Sequence, residues 1–429
     1  MSIDHHVLIL GGGLAGLAAA SFCDQDYLLL EGRQRLGGLA RTERVGGYNL
    51  DYTGHWLHLR DPRIQTWIGE LMGEQLISIE RQARCFSSGR FTHYPFQANT
   101  HGLPEQIAFE CLSGFIHARE QRRLHPREPE HFLDWIHYQY GPGIAKHFMV
   151  PYNRKLWGLD LDQITAAWTD RFVPKPDLDT VLRGALGMSR QQLGYNAHFL
   201  YPVSGGIEEL PKAIATHLDA TRLRTGSQVT SIHPGKRKLC LANGSTFGYE
   251  HLISSIPLPR LVECLEQAPE EVRRAAAKLR YTSVTFTYYG IRGQAPFPYH
   301  WVYYPEAELP FYRLGCASNV VSSTAPEGRY LLYLERSGTH GAAIARADLI
   351  AGLKRVGWLK DEADIDMERD NLIECAYVIF DRNYEEAREV IFKFLEQKRI
   401  YPVGRFGRWT YGGMEDALLD GIHAVENLK

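Results

Sequence analysis

Gly11, Gly13 and Gly16 are spaced so that a backbone turn can approach a phosphate chain closely. Val7, Leu8, Ile9 and Leu10 precede them as a short apolar run of the kind that forms a buried parallel strand. Leu14, Ala15, Leu17 and Ala18 follow and open a helix. A second apolar run, Tyr27–Leu30, ends in Glu31, twenty residues after Gly11. Gly11 permits the tight turn, Gly13 brings the backbone near a pyrophosphate, and Gly16 lets helix and strand pack closely. The helix start at Leu14 and Ala15 offers unpaired N–H groups and partial positive charge, while Glu31 can accept from a ribose hydroxyl. This strand–turn–helix–strand–acid unit predicts dinucleotide binding.

The next residues narrow the ligand. Glu31, Gly32, Arg33, Gly37, Gly38, Leu39 and Arg41 form a segment that resembles the second signature of the glutathione-reductase-like flavoproteins. The branch carrying it contains amine oxidases, protoporphyrinogen oxidases, phytoene desaturases and UDP-galactopyranose mutases, so the resemblance implies FAD rather than NAD. Near the C-terminus, Gly404, Arg405, Met414 and Glu415 belong to a glycine-bounded segment similar to the same branch's second FAD motif. That resemblance implies a turn beside the flavin ring and a helix whose positive end would stabilise an anionic reduced flavin.

Composition bounds the rest. The chain has 429 residues, enough for two or three domains, with 44% hydrophobic and 23% charged residues as in an ordinary globular enzyme. A formal net charge of −2 gives no electrostatic case for nucleic acid or an anionic membrane. The seven cysteines are scattered and never spaced as CxxC, which predicts reduced thiols, no metal site and a cytoplasmic protein. No stretch reaches membrane-spanning length.

The expected fold class is α/β with α+β insertions: a Rossmann FAD domain, a helical insertion and an antiparallel-sheet substrate domain. The FAD domain is expected to be discontinuous, over residues 1–100, 196–260 and 385–429. Residues 101–195 read as helical, with amphipathic stretches at 105–119 and 130–140. The basic stretch 119–127 has acids on both sides and reads as a solvated face. Within 261–384, strand character at 284–289, 301–304 and 330–335 predicts the substrate sheet. No second dinucleotide motif is present, so a separate NAD(P)H domain is not expected, and NAD(P)H would act as an external reductant.

Several segments of the insertions resemble the UDP-galactopyranose mutases, specifically the eukaryotic type. Gly54-His55-Trp56 matches a turn whose imidazole lies beside the flavin. Tyr94, Phe96 and Gln97 resemble the segment that holds the uridine. Trp157 resembles a tryptophan placed by the sugar, and Arg171 an arginine on the diphosphate. Trp301-Val302-Tyr303-Tyr304-Pro305-Glu306, running on to Pro310-Phe311-Tyr312-Arg313, is similar to a segment whose tyrosine and arginine, here Tyr303 and Arg313, contact the diphosphate. Tyr384 and Tyr411 resemble two further diphosphate-contacting tyrosines. Two departures stand out: the bacterial Tyr-Arg-Ser motif reads Tyr281-Thr282-Ser283, leaving Arg313 to serve, and Met414-Glu415-Asp416 replaces an asparagine-glutamine-aspartate.

The resemblance implies a reduced-FAD mutase that interconverts pyranose and furanose forms of a nucleotide sugar, UDP-galactose first, through a flavin N5–sugar adduct. His55, Arg171 and Arg313 would be its catalytic groups. Forked arginines suit a pyrophosphate better than lysines do. The alternative is an FAD oxidoreductase of the amine oxidase, protoporphyrinogen oxidase or desaturase kind, acting on an apolar or amine substrate. A homo-oligomer is compatible with either.

Overall fold

The computed structural model describes residues 4–188, 197–338 and 344–428. Five short strands make a parallel sheet in the order Leu223–Arg224, Tyr27–Leu30, His5–Leu10, Thr246–Ser254 and Ile400–Pro402. Val7, Leu8, Ile9 and Leu10 are all buried because helices and other layers cover both faces, which is why the run is continuous rather than alternating. Val229–His233 and Lys238–Leu241 extend this sheet as an antiparallel edge.

The helix Leu14–Ser21 leaves the first strand through Gly11, whose φ of +97° suits glycine. Seven of its eight residues are buried, since it is wedged between the sheet and the helices Glu209–Thr216 and Met414–Glu426. A Cβ at Gly16 would lie 1.9 Å from the Gly11 carbonyl oxygen, and one at Gly421 would lie 2.1 Å from that of Ala15. The helix is therefore fixed by backbone contact on two sides.

A second sheet of seven strands runs Ile365–Val378, Tyr281–Arg292, Arg329–Gly338, Arg313–Cys316, Trp301–Tyr303, Ala83–Ser87 and Arg90–His93. All its pairings are antiparallel except that between Trp301–Tyr303 and Ala83–Ser87. The three strands read from sequence lie in it. Ala83–Ser87 and Arg90–His93, within the segment assigned by sequence to the FAD domain, instead complete this sheet. Ala83–Ser87 pairs with Trp301–Tyr303 on one side and with Arg90–His93 on the other, and neither strand joins the parallel sheet.

The helices Glu105–Leu124, Phe132–Ile144, Val150–Trp157 and Leu178–Ala185 fill the predicted helical stretch. The basic residues at its turn are occupied locally, Arg122 by the Tyr138 and Gln139 carbonyls and Arg127 by Asp134. The boundary expected at 195/196 lies outside the described residues.

Asp51 ties the ribbon of Thr42–Val45 and Tyr48–Asp51 to the second sheet and to the chain at residues 201–207. Its carboxylate accepts from Thr42 Oγ1 and Tyr201 OH, each at 2.6 Å, and from the Ile207 N–H at 3.2 Å; its carbonyl accepts from Tyr288 OH. Complete burial raises its pKa to about 6.

Two outcomes follow for stability. Gly421→Ala should lose about 1–3 kcal/mol through overpacking, whereas Gly69→Ala, where a Cβ meets nothing within 4 Å, should be neutral or stabilising; urea midpoints of the two variants check this. Because the Asp51 pKa rises on folding, its stabilising contribution is complete below the unfolded value near 3.8 and is lost as pH climbs through about 6. Wild type should therefore lose stability relative to Asp51→Asn between pH 4 and pH 7, and parallel urea titrations at the two pH values will read that difference.

Candidate active site

A cavity of about 1090 Å³ runs between the two sheets and the helical segment. That is just above the usual range for small-ligand pockets, about 300–1,000 Å³. One end is the glycine turn, lined by Gly11, Gly13, Leu14, Ala15, Glu31, Gly32, Arg33, Gly37, Gly38 and Leu39. His55, Gly404, Arg405 and Met414 line its middle, and Tyr94, Gln97, Tyr303, Arg313 and Tyr411 its other reaches.

The glycine end is built for close backbone approach. Gly13 and Gly38 face each other across it, with a Cβ at Gly38 coming 3.0 Å from the Gly13 Cα. The Gly37 N–H bonds the Gly12 carbonyl at 2.7 Å, holding the two glycine loops together. Glu31 is buried and accepts from the backbone N–H groups of Gly12 at 2.6 Å and Arg33 at 2.8 Å, which fixes its carboxylate at the cavity edge. Leu14–Ser21 begins here without a side-chain cap, so its first N–H groups remain available to a ligand. Met414–Glu426 starts at Gly413, also on the cavity wall, and presents a second positive helix end.

His55 is half-buried near Arg405 and Arg313, with its Nδ1 out of reach of solvent. Burial, reinforced by those two guanidinium groups, pushes its pKa down to about 4, so the imidazole is neutral at pH 7, and its Nδ1 has no hydrogen-bond partner. Arg405 lies over the rings of Tyr411 and Tyr377, at 4.7 and 5.2 Å, and those rings stack at 5.9 Å. Its Nη2 donates to the Ala376 carbonyl at 2.6 Å, while its buried Nε is unpartnered.

Arg313 and Glu335 stand directly opposite each other on adjacent strands. Arg313 donates through Nε and Nη2 to Oε1 at 3.0 and 2.7 Å, and through Nη2 to Oε2 at 2.6 Å. Tyr312 OH donates to Oε2 at 2.7 Å. The neighbouring carboxylate and tyrosines outweigh burial and hold the Arg313 pKa well above its ordinary value.

Other residues singled out by sequence lie elsewhere. Phe96 is fully buried and stacks on Phe148 at 4.7 Å, so it is a core residue. Trp157 is 1% exposed and packs edge-on against Trp168, which itself reaches the cavity. The Tyr384 hydroxyl donates to the Trp409 carbonyl at 2.6 Å, which removes it from the wall. Arg171 does not line the cavity; its Nη1 bonds Asp416 at 2.7 Å in the first turn of the C-terminal helix. Glu415 turns its side chain to the Arg60 and Asp61 N–H groups. Gly16 serves packing, and Arg41 sits over Tyr52 at 4.7 Å with its buried Nε unpartnered.

Sequence reasoning missed Glu335, Tyr377 and Tyr152, all on the cavity wall. Glu335 carried a signal: it is an acid ending the apolar run Tyr330-Leu331-Leu332-Tyr333-Leu334 in a strand whose alternation sets it on the same face as Tyr333. Among the described residues no cluster of three or more metal-ligating side chains occurs, and no helix is long and apolar enough to cross a membrane.

These features fit FAD. The facing glycines leave the space a Cβ would take, two helix N-termini converge, and buried nitrogens of His55 and Arg405 lack partners beside the middle of the cavity. Gly11, Gly13, Glu31 and Arg33 could hold the ADP portion, with His55, Gly404, Arg405 and Met414 beside the ring.

Comparison with known proteins agrees. The chain is similar to a crystal structure of reduced UDP-galactopyranose mutase, with 27% identity and a TM-score of 0.92 over 98% of this chain and 95% of that one. It shares the fold of cyclohexylamine oxidase from Brevibacterium oxydans, with a TM-score of 0.69 at 15% identity over 99% and 98% of the two chains. Nicotine dehydrogenase from Pseudomonas putida is 44% identical over 64 residues, a match that spans 14% of this chain and only 13% of that protein. Residues 14–336 match the family of flavin-containing amine oxidoreductases. The chain belongs to that family and is an FAD-dependent flavoprotein.

Proposed function

We propose that the chain is a nucleotide-sugar mutase that interconverts the pyranose and furanose forms of UDP-galactose with reduced FAD. One observation carries the reading: Arg313 and Arg405 line the same cavity, with Tyr303, Tyr377 and Tyr411 around them. That wall is made for an anionic, oxygen-rich ligand. The likeness to a reduced UDP-galactopyranose mutase supports it.

FAD, when bound and reduced, supplies a nucleophilic ring nitrogen for a group transfer with no net redox change. The protein's own residues do the rest. Arg313, through the Nη1 edge that Glu335 leaves open, and the Tyr303 hydroxyl hold the diphosphate as it leaves the anomeric carbon and keep it for its return. Tyr94, tilted against Tyr303 at 5.1 Å with the Arg81 guanidinium 4.6 Å over its ring, lines the cavity and contributes aromatic surface for the uracil. Gln97 donates through Nε2 to the Pro174 carbonyl at 2.9 Å, so its Oε1 is left for the base edge. His55, neutral at pH 7, adds no charge beside the flavin ring.

The alternative, an FAD oxidoreductase acting on an apolar or amine substrate, rests on the family itself. A protonated amine would meet Arg313 and Arg405 on the wall, which disfavours it.

The dithionite-reduced protein should convert UDP-galactofuranose to UDP-galactopyranose, and the air-oxidised protein should not, as read by chromatography of the nucleotide sugars. Absence of turnover in both states, with no change in the flavin spectrum on adding UDP, would refute the reading. Arg313→Ala should weaken UDP binding at least about 30-fold, or about 2 kcal/mol, with unchanged flavin content. Fluorescence titration against an absorbance measure of bound FAD checks both halves of that expectation.

A further inference from the structure

We propose that Glu335 is a positioning and affinity-setting residue for the diphosphate, holding Arg313 in its working orientation while opposing the bound anion. The inference rests on the nucleotide-sugar reading above.

Glu335 is 1% exposed, yet it lines the cavity that holds Arg313. Among the described residues its one ion-pair partner is Arg313, whose side chain is 22% exposed. The carboxylate's bonding is filled by protein groups: Oε1 takes Arg313 Nε and Nη2, and Oε2 takes Arg313 Nη2 and Tyr312 OH. The fork fixes the guanidinium plane, so Nη1 is the nitrogen not engaged by Glu335. Beside the pair, Gly315 makes room for the Tyr333 ring, since a Cβ there would lie 2.0 Å from it.

The groups facing the pair sharpen its charge balance. Tyr152, Tyr303, Tyr312, Tyr333 and Tyr377 all feel the charge of Arg313, and burial raises the pKa of each, so they are neutral. Arg313 and Glu335 are thus the directly paired charges at this wall, with Arg405 a further cation beside Tyr377, and in a buried setting the pair offset one another strongly. An incoming diphosphate gains Nη1 donors but also meets the Glu335 carboxylate. The arrangement favours an anion held in the right place over one held as tightly as possible. A leaving group that must depart and return within one cycle needs that balance, since binding shared equally by all bound states does not raise turnover.

The test uses the FAD-loaded full chain and titrates UDP and uridine separately. Glu335→Gln keeps the shape of the side chain and removes its charge. It should tighten UDP about tenfold while uridine affinity stays within about twofold. Turnover of UDP-galactopyranose at saturation should fall, splitting kcat from KM. Unchanged or weaker UDP binding in a flavin-loaded Glu335→Gln protein would overturn the inference.

A second pair of variants covers a Glu335→Gln protein that does not fold. Arg313→Met leaves Glu335 charged and unpaired, whereas Arg313→Met with Glu335→Gln removes both charges. The double variant should bind UDP at least about fivefold better than Arg313→Met alone. Equal or poorer binding by the double variant would overturn the proposal. If wild type itself binds no UDP, the nucleotide-sugar reading fails and this inference falls with it. Failure of the Glu335 arms with wild-type UDP binding intact condemns only the role given to Glu335.

Discussion

The backbone contact between Ala15 and Gly421 is the constraint on which the site depends. A Cβ at Gly421 would come within 2.1 Å of the Ala15 carbonyl oxygen and 2.9 Å of the Ala19 nitrogen, so the two helices touch main chain to main chain. Leu14–Ser21 is also pinned from its other side by Gly11. With the first helix fixed, the second is fixed, and with it the N-terminus that starts at Gly413. Both positive helix ends then open on one cavity although they come from opposite ends of the chain. A loosely packed contact would let the two ends drift, and a dinucleotide would lose the aligned N–H groups at its pyrophosphate and ring.

Around that frame the cavity sets charge by burial. His55 is driven neutral, while Arg313 is held charged by its fork with Glu335 and Arg405 lies over two tyrosine rings. The outcome is a wall with the guanidinium groups of Arg313 and Arg405, several neutral hydroxyls and the Glu335 carboxylate, already in use. In a low-dielectric site such placed charges count for more than they would in water, and they choose the sign of the ligand before its shape is read.

Much of this was legible in the sequence, for reasons that differ between its parts. The glycine cradle, Glu31 and the flanking strands are local in the chain, and their spacing alone dictates the turn and the following helix. Strand character at 284–289 and 330–335 is legible because β-branched and aromatic residues accumulate there, and the strands themselves run longer, over Tyr281–Arg292 and Arg329–Gly338. Ala83–Ser87 was misassigned because its pairing partner, Trp301–Tyr303, is more than two hundred residues away and leaves no local trace. Phe96, Trp157 and Tyr384 show the matching limit at the site. Motif position names the residue, but whether a ring faces the cavity or the core depends on packing partners such as Phe148, Trp168 and Trp409. Arg171 differs again: its type suits an anion, and the structure gives that charge to Asp416.

The family's chemistry is divided by walls like this one rather than by the cradle. The nucleotide end is made mostly of backbone, so its demands fall on glycine positions and leave the side chains facing the flavin ring free to vary. Here those side chains come from the second sheet, whose strands cross the cavity with a two-residue alternation that puts Arg313 level with Glu335 and Tyr303 level with Arg313. One register therefore delivers a cation, its counter-charge and a hydroxyl donor to a single level of the wall. Sliding one of these strands by one residue would turn its own member of the set away from the cavity and break the level. The charge pattern of this wall is thus a property of strand register as much as of residue type.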